Sequence, residues 1–234
     1  MDVRRSLLAV LSCLGVTVPV GAEELDLLPI GDAARATDLA SSPVGTFYDC
    51  REDRQLSLDE LAAALVEARV VLIGEDHTNL DQKLFHADLL EAMAAHKQDL
   101  ILGMEFFLRS QGELLSRWQA REMDDEQFLR EAGWYDRGSY RWEYYRPVMD
   151  VARNHGIPVV GLNVPREIPR TVNRSGLEGL SEEQRQEVGE IDTSGSPEHR
   201  YLISRYFGET VAMLPPGWFD NMYAAQCLWD VVMA

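Results

Sequence analysis

The chain has little cysteine and too few cations to balance its acids. Three cysteines stand in 234 residues. None forms a CxxC pair or lies at zinc-site spacing from a histidine, which argues against a structural zinc module. Lysine and arginine total 22 against 39 aspartates and glutamates, a net charge of −17. The cations are scattered among acids and form no basic stripe. This disfavours nucleic acid as a partner, because binding it requires a surface that displaces phosphate counterions. A GxSxG elbow, a Walker loop and a GxGxxG turn are all missing. Where a phosphate-binding turn would lie, Gly74 is followed by acids, so nucleotide binding is disfavoured as well. Beyond the N-terminus, no apolar run approaches the roughly 20 residues of a membrane span.

What is present begins with an export pattern over residues 1–22. Arg4 and Arg5 precede the apolar stretch Ser6 to Val20, and Val20-Gly21-Ala22 fits a cleavage site ahead of Glu23. A second reading competes. Leu8 to Ser12 before Cys13 resembles a lipobox, which would make Cys13 a lipid anchor to the membrane. The apolar run continues past Cys13, which favours simple secretion. Cys50 and Cys227 remain after either cut, and an oxidising compartment would allow them to pair; the sequence leaves that open.

Residues 23–57 form an aperiodic lead-in, and residues 58–234 are expected to form one domain. Leu58 to Ala68 has apolar residues at helical spacing behind a candidate N-cap, Ser57. The run Val70–Ile73 then reads as a buried strand. Asn79 to His96 carries Phe85, Leu89 and Met93 on one helical stripe. Leu100–Met104 and Pro158–Leu162 read as two further strands. Between them helices are expected over 110–121, 124–132 and 147–155, the last with Pro147 in its first turn and Gly156 as its stop. Residues 173–200 are polar and read as a solvated helix flanked by loops, or as a lid. The helical pattern from Trp218 stops at Ala234 without a cap, so the chain is expected to continue. This order predicts an α/β fold: a mostly parallel central sheet flanked by helices on both faces, with a helix-rich C-terminal half.

In such a sheet, ligands sit beyond the carboxyl ends of the strands. The three expected strands end in polar groups: Glu75 with Asp76 and His77, then Glu105, then Asn163 with Arg166 behind it. Glu75 and His77 point the same way on extended backbone. With Glu105 they form a mixed nitrogen–oxygen set suited to a divalent metal or to acid–base work, and His86 on the next helix could join it. The block GWYDRGSYRWEYYRP (133–147) interleaves Tyr140, Tyr144 and Tyr145 with Arg137, Arg141 and Arg146. Core packing is the ordinary role of such aromatics. The same block would also suit a flat anionic ligand such as haem, which tyrosine can ligate.

Taken together, VVLIGEDH, LGMEFF, the WYDRGSYRWEYYRPVMDVARNHGIPVVGLNVPR block and FDNMYAAQCLWDVVMA resemble the ChaN-like haem-binding uptake lipoproteins. That family belongs to a superfamily that includes the Tiki proteases and the erythromycin esterases. The resemblance covers Leu58 to Ala234. It implies an α/β fold and export to the periplasm, or anchoring at the bacterial outer membrane. It also implies a part in haem or iron acquisition, with haem held between two copies in some members. On this reading Tyr140, Tyr144, Tyr145, Arg146, Asn163 and Arg166 are the candidate haem-binding residues. The alternative it implies is a metal-dependent hydrolase or peptidase using Glu75, His77 and Glu105. Two departures stand out. Relatives carry a histidine where this chain has Gln82 and Lys83, and they continue past the final helix with another strand and a further motif.

Overall fold

The computed structural model describes residues 43, 45–136, 140–194, 197–207 and 215–234. The export segment, Cys13, most of the lead-in and Arg137 lie outside them. The chain divides into two compact units. Ala40–Gly103 and Gly112–Val160 belong to the first, and Met104–Gln111 and Gly161–Ala234 to the second. The fold is mixed α/β, rich in helix, with a small parallel sheet.

The first unit opens with a hairpin, β1 (Phe47–Asp49) antiparallel to β2 (Arg54–Leu56). Helix α1 (Leu58–Leu65) starts where Ser57 predicts it. Ser57 Oγ accepts from the Glu60 amide while the Glu60 carboxylate accepts from the Ser57 amide, a reciprocal cap. Helix α2 (Leu80–His96) is capped by Asn79 and packs against α1. Leu56, Leu61, Ala62, Leu65, Leu89 and Met93 close this core. Full burial of each leucine contributes roughly 1.5–3 kcal/mol. Histidines at the helix ends serve as ties: His96 bonds Asp59 and His155 bonds Glu91, each at 2.8 Å.

Helices α3 (Gly112–Gln119), α4 (Asp125–Ala132) and α5 (Trp142–His155) complete the unit. Trp118, Phe128, Trp134, Trp142 and Tyr145 pack ring against ring among them. Helix α5 begins at Trp142, five residues before its expected start, so Pro147 lies inside it. A proline there removes one backbone hydrogen bond. The early turn is held because Trp142 and Tyr145 are buried, at 4% and 1% exposure. Gly156 stops the helix in the left-handed conformation, as expected.

The strand expected at Val70–Ile73 does not form. The segment has no regular secondary structure and carries no sheet pairing, and Val70, Leu72 and Ile73 are exposed while Val71 rests on the α1–α2 core. A strand is defined by a partner ladder, and among the described residues none lies beside this one. The other two expected strands exist, displaced toward the C-terminus: β3 (Leu102–Leu108) and β4 (Val159–Asn163), neighbours in one sheet. Within the first unit the Leu102 amide donates to Pro158 O, and the Gln119 amide group clamps Ile157 O and the Val159 amide.

In the second unit, β3 and β4 approach so closely at Gly161 that a Cβ there would stand 2.2 Å from Leu108 O. Helix α6 (Glu167–Ser175) packs on α9 (Trp218–Met233). Val164, Ile168, Val172, Ala225, Leu228 and Val232 form that core. The polar stretch 173–200 contains α7 (Glu182–Val188) and the start of α8 (Pro197–Phe207). Cys50 is exposed and Cys227 buried, and both are free thiols. Among the described residues, no helix is long and apolar enough to cross a membrane.

Candidate functional site

The polar centre of the first unit is the Glu75 carboxylate, in the irregular segment 70–76 that leads into α2. Three groups converge on its Oε1: Lys83 Nζ at 2.6 Å, His77 Nδ1 at 2.9 Å and the Tyr145 hydroxyl at 3.0 Å. His86 Nδ1 stands 3.4 Å from Oε2. Each partner is placed by its element. His77 follows in the same turn, Lys83 and His86 are one turn apart on α2, and Tyr145 comes from α5, which packs along α2. A Cβ added at Gly74, just before the site, would meet nothing within 4 Å.

Lys83 is the group that sequence reasoning missed. Its side chain is 1% exposed, and besides Glu75 it donates to Asp76 O at 2.8 Å and lies 5.1 Å from the centre of the Tyr145 ring. A buried ammonium is costly unless it is paired and hydrogen-bonded, and here carboxylate, carbonyl and ring meet that need together. The signal was present in helical periodicity. Lys83, Ala87 and Leu90 are all buried on α2, at i, i+4 and i+7, so a cation stands on an apolar stripe.

The surrounding electrostatics follow. Burial holds the His86 imidazole below its ordinary pKa; Glu75 pulls it back up and Lys83 pushes it further down. Asp76, by contrast, shapes the turn. Its Oδ1 accepts from the Thr78 amide and hydroxyl, which hold its carboxyl below the usual aspartate value, and its own amide donates to Gln82 Oε1.

The aromatic–arginine block divides by burial. Trp134, Trp142 and Tyr145 belong to the core. Arg146 sits between Asp125 and Asp150, at 3.2 and 3.3 Å. Tyr140 and Tyr144 are half-buried. The Tyr140 ring meets His77 edge-on with centroids 5.2 Å apart, and the Arg141 guanidinium lies 5.9 Å from the Tyr144 ring centre.

Glu105, Asn163 and Arg166 belong to the second unit. Glu105 lies inside β3, not at its end, and is exposed. The Asn163 side chain is used locally, donating to Glu105 O and accepting from the Val164 amide. Arg166 stands at the start of α6. It lines a cleft of about 270 Å³ with residues of α6, α8 and α9. Among the described residues, no group of three or more His, Cys, Asp or Glu is arranged to hold a metal ion.

Comparison with known proteins places the chain in a family. The solved structure titled "Cofacial heme binding to ChaN of Campylobacter jejuni" superposes with a TM-score of 0.59 at 13% identity, covering 78% of this chain and 69% of that one. At that identity the likeness shows the fold. The Arabidopsis thaliana protein RETICULATA-RELATED 5, chloroplastic, is 26% identical over 127 residues, 52% of this chain but 17% of its own length. The chain therefore spans about a sixth of that relative. A family profile described as "Haem-binding uptake, Tiki superfamily, ChaN" matches residues 61–234, nearly the whole of the described structure, and the chain belongs to that family.

Proposed function

We propose that this protein is an exported haem-binding component of an uptake system, and that His77, Tyr140 and Tyr144 form its haem-facing surface. The observation that carries this reading is the edge-on pair of His77 and Tyr140. It stands beside the Glu75–Lys83 centre, with the His77 side chain 37% exposed. The donor set fits the group. Imidazole and phenolate are both known ligands of haem iron, and Arg141 beside Tyr144 offers a cation for a propionate. Bound haem would supply the iron chemistry. The chain's own part is to hold His77 through Glu75 and to keep Tyr140 against it. Tyr145 is bonded to Glu75 and Arg146 is paired with Asp125 and Asp150, so the ligand surface narrows to Tyr140 and Tyr144 with Arg141. The N-terminal pattern over residues 1–22 supports export, and Cys13 is the alternative anchor point.

Titration of the purified protein with haemin, followed by absorbance, tests the proposal. A saturable Soret shift near one equivalent is expected. Tyr140→Phe and His77→Ala should each alter the band position or weaken binding about tenfold, whereas Arg146→Ala should leave both unchanged. A featureless, non-saturating absorbance change would overturn the assignment.

A further inference from the structure

The Glu75 centre has the composition of a nitrogen–oxygen metal site: one carboxylate with two imidazoles at 2.9 and 3.4 Å. It also contains a cation already. Lys83 Nζ is closer to Glu75 Oε1 than either imidazole, at 2.6 Å, and is bonded to Asp76 O as well. We propose that Lys83 is the permanent internal cation of this site, that it closes the site to divalent metals, and that Glu75, His77 and His86 form a latent metal site which only its removal would open.

Three features carry the argument. A divalent ion bound to Oε1 at the usual distance of about 2.0–2.2 Å would meet the ammonium at close range in a weakly screened interior, where like charges repel strongly. Lys83 also has no room to withdraw: its side chain is 1% exposed and its ammonium is lodged near the Tyr145 ring. Finally, Oε1 is already saturated by Lys83, His77 and the Tyr145 hydroxyl, so its lone pairs are spent on hydrogen bonds. The residues therefore do not fit a metal, and no hydrolytic step through one is derived for this chain. This inference does not rest on haem binding.

The test uses demetallated full-length protein titrated with Co²⁺, read by visible d–d absorption, and with Zn²⁺ by calorimetry. Wild type should take up no stoichiometric metal at micromolar concentration. Lys83→Ala should bind one equivalent at least about a hundredfold more tightly than wild type, and the double variant Lys83→Ala/Glu75→Gln should lose it. One equivalent bound by wild type and lost in Glu75→Gln would overturn the proposal, whatever the variants do. A folded Lys83→Ala that binds no metal would overturn the latent site. Should Lys83→Ala fail to fold, Lys83→Met, which keeps the stem packed on Tyr145, serves in its place with the same two outcomes.

Discussion

At the scale of single residues, Glu75 shows how much one partly buried carboxylate organises. Lys83, His77 and Tyr145 all direct their polar atoms to it, so its loss strands an ammonium in an apolar interior. Breaking such a pair from one side costs about 3–5 kcal/mol. Glu75→Gln should therefore lower the urea midpoint substantially, and adding Lys83→Met should restore most of it, since removing both charges leaves neither unpaired. If the single variant unfolds at the wild-type midpoint, the pair contributes no stability. Glu75 and His77 were legible in the sequence as a polar strand end. Lys83 was marked by its place on the apolar stripe with Ala87 and Leu90, but a lone lysine in a helix is ordinarily solvated, and only the packing of α2 on α5 buries this one.

At the scale of elements, Asp125 ties α4 to the aromatic core. It accepts from Trp118 Nε1 at 3.0 Å and Trp142 Nε1 at 3.2 Å, and Arg146 pairs with it. Burial works against its charge, but the two indoles and Arg146 outweigh that and hold its carboxyl below the ordinary value of 3.8. A depressed carboxyl contributes stability that is complete above the unfolded value and lost as pH falls through the folded one. The melting temperature should thus decline as the pH drops below about 4. Asp125→Asn should flatten that decline and cost about 1–3 kcal/mol at neutral pH by weakening the acceptor of two buried indoles. An unchanged acid profile in the variant would show that other carboxylates dominate. Gly161 makes the second case. A Cβ 2.2 Å from Leu108 O would force β3 and β4 apart, so Gly161→Ala should lower thermal stability by roughly 1–3 kcal/mol. A melt equal to wild type would mean that the strands yield freely.

At the scale of the whole molecule, family membership and function are reached by different routes. Membership follows from the match over residues 61–234. A haem-linked assembly is a further proposal, raised by the family resemblance of the sequence, in which some members hold haem between two copies. Analytical ultracentrifugation with and without haemin should show a shift toward a dimer if two copies share their haems, and an unchanged sedimentation coefficient would restrict the proposal to a monomer. The sequence by itself determined α1 to α4 and the end of α5, because capping residues and 3.6-residue periodicity act locally. Ser57, Asn79, Gly133 and Gly156 all cap where they stand. It also determined the fold class, through the order of apolar runs. Strand pairing was decided only in three dimensions, since a ladder needs a neighbour distant in sequence. Val70–Ile73 and Val159–Asn163 look alike as apolar runs, yet only the second found a partner. The character of the site was decided there too. Glu75, His77 and His86 read in the sequence as a mixed nitrogen–oxygen ligand set, whereas the fold sets the buried ammonium of Lys83 on α2 2.6 Å from Glu75 Oε1.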